Sequence, residues 1–134
     1  MIMNKILSIF LALLISNSLF AQENGKVYFI RSEGFQAPAA AFTIFIDHKN
    51  VGRLGNKKYS MHNVKPGEHT FTTQFGGTKS NENAEKIEKQ IEAGKTYYIM
   101  VTFKHGILKN KLHFREVNEE DAKKMMASSR EIKN

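Results

Sequence analysis

Polar and apolar residues alternate through most of this chain. From Thr96 to Phe103, Tyr97, Ile99, Val101 and Phe103 fall on one side of an extended backbone, and Thr96, Tyr98, Met100 and Thr102 on the other. A turn glycine, Gly94, leads into this run. β-branched and aromatic residues at period two mark a strand inside a sheet. The same period predicts a strand over Lys26–Arg31 and another over Ala41–His48, with Phe42, Ile44 and Ile46 on one face. Lys49-Asn50 is read as the turn into a short strand, Val51–Leu54. Gly55-Asn56 then makes a hairpin turn into Lys57–Val64. Lys65-Pro66-Gly67 suits a type II turn, with Pro second and Gly third. Glu68–Phe75 follows, with His69, Phe71, Thr73 and Phe75 on one face.

Gly76–Asn83 reads as a polar loop, and Ser32–Ala40, which holds Phe35, as another. Asn83–Ala93 supports two readings. Ala84, Ile87 and Ile91 have helical spacing and Gly94 makes a C-cap. Ile87, Ile91 and Ala93 also share one face of a strand. The regular recurrence of short strands and turns favours the strand. Ile107–Val117 is the last predicted strand. Asn118 is a good N-cap for a helix from Glu119 to about Ser128, with Glu119, Glu120 and Asp121 in its favourable first turn. Ala122, Met125 and Met126 would lay that helix on the sheet. The last residues are charged and are expected to fray. The elements add up to an all-β fold: a single antiparallel β-sandwich over residues 26–117, with a short C-terminal helix and tail over 118–134.

Residues 1–21 break the alternation. Lys5 precedes an apolar run from Ile6 to Ile15, then Ser16-Asn17-Ser18 and Ala21. That is the pattern of a secretory signal peptide, and the run is shorter than the roughly 20 residues a membrane span needs. Cleavage after Ala21 puts Leu19 at −3, where a small residue is preferred. Cleavage after Ser18 and an uncleaved anchor are the alternatives. Removing 21 residues leaves 113 of 134 and lowers the net charge from +7 to +6, because Lys5 departs. The expectation is an exported protein, periplasmic or secreted, with no transmembrane span in the mature chain. The chain has no cysteine. That excludes disulfides, a thiol nucleophile, iron–sulfur and thiolate zinc sites, and a cysteine-linked lipid anchor.

Three landmarks stand together: Val27-Tyr28-Phe29-Ile30-Arg31; Ile46-Asp47-His48-Lys49-Asn50-Val51-Gly52; and Val64-Lys65-Pro66-Gly67-Glu68-His69, followed by Gly94-Lys95-Thr96-Tyr97-Tyr98. In these the chain resembles the bacterial family catalogued as domain of unknown function 2846, which is similar to the PEGA group of small β-sandwiches. The resemblance spans about residues 26–117 and implies a sandwich. Members often carry a lipobox cysteine, which this chain lacks. No site residue transfers.

Four basic residues, Lys109, Lys111, His113 and Arg115, share the odd-numbered face of the last predicted strand, opposite Leu108, Leu112 and Phe114. At about 6.6–6.8 Å between same-face neighbours they span about 20 Å. Such a ridge suits an anionic envelope surface, with salt-sensitive affinity. The competing reading is a solvated strand whose lysines guard an edge. Lys104 and His105 extend the patch.

The five histidines, His48, His62, His69, His105 and His113, form no short metal-ligand motif. Gly76-Gly77-Thr78-Lys79-Ser80 lacks the spacing of a phosphate loop and reads as a hairpin loop. No nucleophile motif is present, and Asp47 and the acidic residues of 82–92 read as turn and surface chemistry. Of Tyr97 and Tyr98, one belongs in the core and the other on a sheet surface. Phe35 is a second candidate exposed aromatic. These features point to a non-enzymatic envelope module without cofactor or metal, binding an envelope protein or anionic surface and not nucleic acid. The alternative is a small-ligand carrier or enzyme with a loop-built site.

Overall fold

A computed structural model of the protein describes residues 23–31, 41–75, 78–79, 86–104 and 111–133. The signal-peptide stretch, the Ser32–Ala40 loop with Phe35, Gly76, Gly77 and residues 80–85, His105 and Lys109 lie outside the described residues.

Among the described residues, ten strands and one helix follow in order: β1 (Gly25–Arg31), β2 (Phe42–Ile46), β3 (Lys49–Leu54), β4 (Lys58–Val64), β5 (Gly67–Phe75), β6 (Thr78–Lys79), β7 (Ile87–Ile91), β8 (Thr96–Lys104), β9 (Lys111–Val117), α1 (Glu119–Ala127) and β10 (Arg130–Glu131). They build two sheets. The first runs β10-β4-β1-β8-β9. The second runs β3-β2-β5-β6, with β7 also on β5. Antiparallel pairs dominate, but β1–β8 and β10–β4 are parallel. The long connection between β1 and β8 permits this: every strand of the second sheet intervenes in the chain.

The two sheets face each other across one core. Val27, Phe29, Ile99 and Val101 enter it from the first sheet, and Phe42, Ile44, Phe71 and Ile91 from the second. Phe29 and Phe71 meet edge to face, with ring centroids 5.4 Å apart. Gly25 lies where β1 passes β7 closely. A Cβ there would stand 2.4 Å from Ile91 Cγ2, so no larger residue fits without displacement. On the outer side of the first sheet, α1 packs against β8, β1 and β10. It shields Ile30 and Ala122, both fully buried. Asn118 caps it as expected, Oδ1 accepting the Asp121 amide at 2.8 Å.

Several local expectations shift. The chain turns after β2 at Asp47-His48, not at Lys49-Asn50. Both turn residues have positive φ, 49° and 66°, the geometry of a tight hairpin whose twist matches the strands. The next bend falls at Asn56-Lys57, one residue beyond the expected pair. Ile87–Ile91 is a strand, paired antiparallel with Gly67–Phe71, because Ile87 and Ile91 bury on one face against the core. The polar loop after β5 contains the short β6. The tail holds β10, tied to β4 by the Arg130 amide donating to Lys57 O at 2.9 Å and the Ile132 amide to Tyr59 O at 2.8 Å. Ile132 packs against the core, which outweighs fraying. No helix of the described residues is long and apolar enough to cross a membrane.

Candidate binding surface

Strand β9 runs along the rim of the first sheet, in unbroken antiparallel register with β8 from Tyr98↔Val117 to Lys104↔Lys111. Phe114 orients it. That ring packs against the core and meets Phe29 edge-on at 6.4 Å. Period-two alternation then puts His113 and Arg115 on the outward face, His113 half-buried and Arg115 exposed. Met100 lies across from Arg115 and Thr102 across from His113, both half-buried. Lys111 opens the strand opposite Lys104. The structure therefore brings His113 and Arg115 together on one strand face, with Lys111 in register on the same strand.

The inward side of β9 carries one charge, Glu116. Its Oε2 accepts from Lys89 Nζ on β7 at 2.6 Å. Lys89 Nζ also sits 5.2 Å from the centre of the Tyr97 ring. The ion pair joins the rims of the two sheets.

Tyr97 is the core tyrosine, and its hydroxyl accepts the Glu92 amide at 2.9 Å. Tyr98 takes the opposite face, as expected, but it is engaged there. It stacks on Tyr28 at 5.2 Å, and Tyr28 lies 6.4 Å from Tyr59. Burial raises the Tyr98 pKa, and the neighbouring Glu119 carboxylate adds to the effect. Glu119 is held below its ordinary value by the Lys123 ammonium at 2.9 Å. Tyr97, Tyr98, Thr96, Glu116, Val117, Asn118 and Glu119 line a shallow depression of about 400 Å³. Its two carboxylates are already paired, Glu116 with Lys89 and Glu119 with Lys123.

A third cluster lies at one end of the second sheet. Asp47 Oδ1 accepts the Thr70 amide at 2.9 Å, and Oδ2 lies 2.5 Å from His69 Nδ1. His69 Nε2 lies 2.6 Å from the Lys65 carbonyl oxygen. Both ring nitrogens thus face acceptors, and both contacts are hydrogen bonds only when both nitrogens carry protons. The Thr70 amide, followed by the His69 contact, lowers the Asp47 pKa. The cluster is a clasp between the β2–β3 and β4–β5 turns. His62 is half-buried against Phe29, and burial lowers its pKa. Among the described residues no group of three or more His, Asp or Glu side chains is arranged to hold a metal.

The family model described as protein of unknown function (DUF2846) matches residues 21–114. The chain belongs to the DUF2846 family. It is also similar to an uncharacterized protein of Haemophilus influenzae, 27% identical over 104 residues, which are 78% of this chain and 58% of that protein. The chain thus spans little more than half the length of that relative.

Three features of this DUF2846 chain escaped the sequence pattern: the Asp47–His69 clasp, the Lys89–Glu116 pair and the burial of Arg31. Arg31 is 1% exposed, with Nη1 donating to Leu54 O at 3.2 Å and its guanidinium 4.0 Å from the Phe42 ring centre. Alternation does assign Arg31 to the same face as Val27 and Phe29. That was the available signal.

Proposed function

We propose that the protein is an exported, non-enzymatic binding module of the cell envelope that takes an anionic partner on strand β9. One observation carries the reading: burial of Phe114 turns His113 and Arg115 outward at a sheet rim. The sequence charge of +7 favours the same sign of partner, and export rests on the signal pattern of residues 1–21. The test measures the purified protein with anionic and neutral vesicles by co-sedimentation, and with fluorescent poly-glutamate by anisotropy, at low and high salt. Binding to an anionic probe that salt removes, and that fails when Lys109, Lys111 and Arg115 are all changed to Ala, supports the reading. No binding at low salt, or binding that survives the triple change, overturns it.

A further inference from the structure

We infer that the outer rim of β9 docks an extended acidic polypeptide segment, which joins the first sheet as an additional strand. The inference rests on β9 being the working surface and names the kind of partner it takes.

The rims of the two sheets are not equivalent. β10 and β6 are two residues each, too short to template a partner. β3 is kinked: its register with β2 shifts between Ile44 and Phe45, and Gly52 has φ 142°. Such a bulge spoils a rim for further pairing. β7 has five residues, two fewer than β9. β9 has seven residues in unbroken register with β8, and no described strand pairs with its far side. Among the described rims it is the long, regular one, and alternate backbone N–H and C=O groups of a strand point toward such a rim.

Charge decides the occupant. A second copy of β9 adding antiparallel about a two-fold axis has few ways to overlap well. Centred on Phe114, it places His113 of each copy across from Arg115 of the other. Centred on Arg115, it sets that arginine against itself. Centred on His113, it sets that histidine against itself and puts Lys111 across from Arg115. Like charges directly opposite destabilise a sheet, so the registers centred on Arg115, with its two arginines opposed, and on His113, with Lys111 against Arg115, are disfavoured for a second copy. A segment with carboxylates at alternate positions inverts the sign at every such pair. Its backbone also meets the rim's hydrogen-bonding groups, which a layer of lipid headgroups does not do in register. Repulsion toward self and attraction toward acidic strands are two halves of one specificity.

The test uses the purified protein and a fluorescent nonapeptide with Glu at alternate positions between Thr and Val. Two analogues have the same charge but are N-methylated on one or the other set of alternate amides. Anionic vesicles run in parallel. The expected result is saturable binding of the plain peptide and a loss of about tenfold or more for one methylated analogue. Arg115→Glu should weaken the plain peptide by about tenfold and leave the melting curve in place, since Arg115 is exposed. Equal binding by the plain peptide and both analogues shows attraction by charge alone. That overturns strand docking while an anionic partner for β9 stands, as does binding to vesicles without binding to peptide. Failure of every anionic probe overturns both.

Discussion

The Lys89–Glu116 pair holds β9, the proposed working strand, to the opposite sheet, and its worth can be worked from the structure. Lys89 Nζ and Glu116 Oε2 are 2.6 Å apart, and the side chains are 28% and 48% exposed. That much solvent limits the pair to about 0.5–1 kcal/mol, the upper part of the range for exposed ion pairs. Lys89 also approaches the Tyr97 ring at 5.2 Å, a cation–π contact worth about 0.5–1 kcal/mol at such a site. Glu116→Gln removes the first contribution only, whereas Lys89→Met keeps the stem's packing and removes both. Lys89→Met is therefore expected to cost about 1–2 kcal/mol and Glu116→Gln about 0.5–1 kcal/mol. The double variant should match Lys89→Met within a few tenths, a coupling of about 0.5–1 kcal/mol. Urea unfolding at low ionic strength measures each value, with an unchanged slope confirming the same unfolded surface. At about 1 M salt, where the screening length is about 3 Å, the coupling should shrink. Single costs that add to within about 0.3 kcal/mol, or a coupling indifferent to salt, would refute the argument that this pair ties the sheets together.

Two further expectations concern pH and the helix cap. Asp47 is lowered from 3.8 in the fold, so its clasp stabilises above the unfolded value and is lost as pH falls through the folded one. His62 is lowered from 6.5 by burial; below pH 6.5 the unfolded chain takes up a proton first, so stability declines as pH falls from there toward the folded value. Urea midpoints from pH 7.5 to 2.5 should show both declines, with Asp47→Asn flattening the acid one and His62→Gln the other; a variant profile parallel to wild type contradicts the assignment. Asn118→Ala removes the acceptor of the Asp121 amide and is expected to cost about 1 kcal/mol. Amide exchange at Asp121 should quicken more than at Ile99, and an unchanged rate there would show that the cap contributes nothing.

The all-β fold, the core face of β5 and the Asn118 cap were legible in the sequence, from forces acting within a few residues: side-chain alternation, turn chemistry and capping. Phe114 on the even face of its strand, and hence His113 and Arg115 opposite it, was legible for the same reason. The strand at Ile87–Ile91 was legible only from the recurrence of strands along the chain, and the choice between the Tyr97 and Tyr98 faces of β8 waited for the tertiary structure. The hairpin turn at Asp47-His48 was misplaced by two residues, because left-handed backbone is open to Asp and His as well as to Asn and Gly, and pairing across the hairpin selects the pair used.

The parallel pairing of β1 with β8, the docking of the tail as β10 and the Lys89–Glu116 tie required the tertiary structure. These partners are distant in the chain and none carries a local signal; which of many compatible strands becomes a neighbour depends on burying one shared core. Arg31 shows the division most sharply. Its strand and its inward face follow from alternation, yet a cation on that face tolerates burial only where other strands supply partners, here the Leu54 carbonyl of β3 and the Phe42 ring of β2. The sequence by itself determined which residues share a strand face, because alternation is local; the tertiary structure decided which strands pair and which described rim stays unpaired, because that depends on burying one shared core.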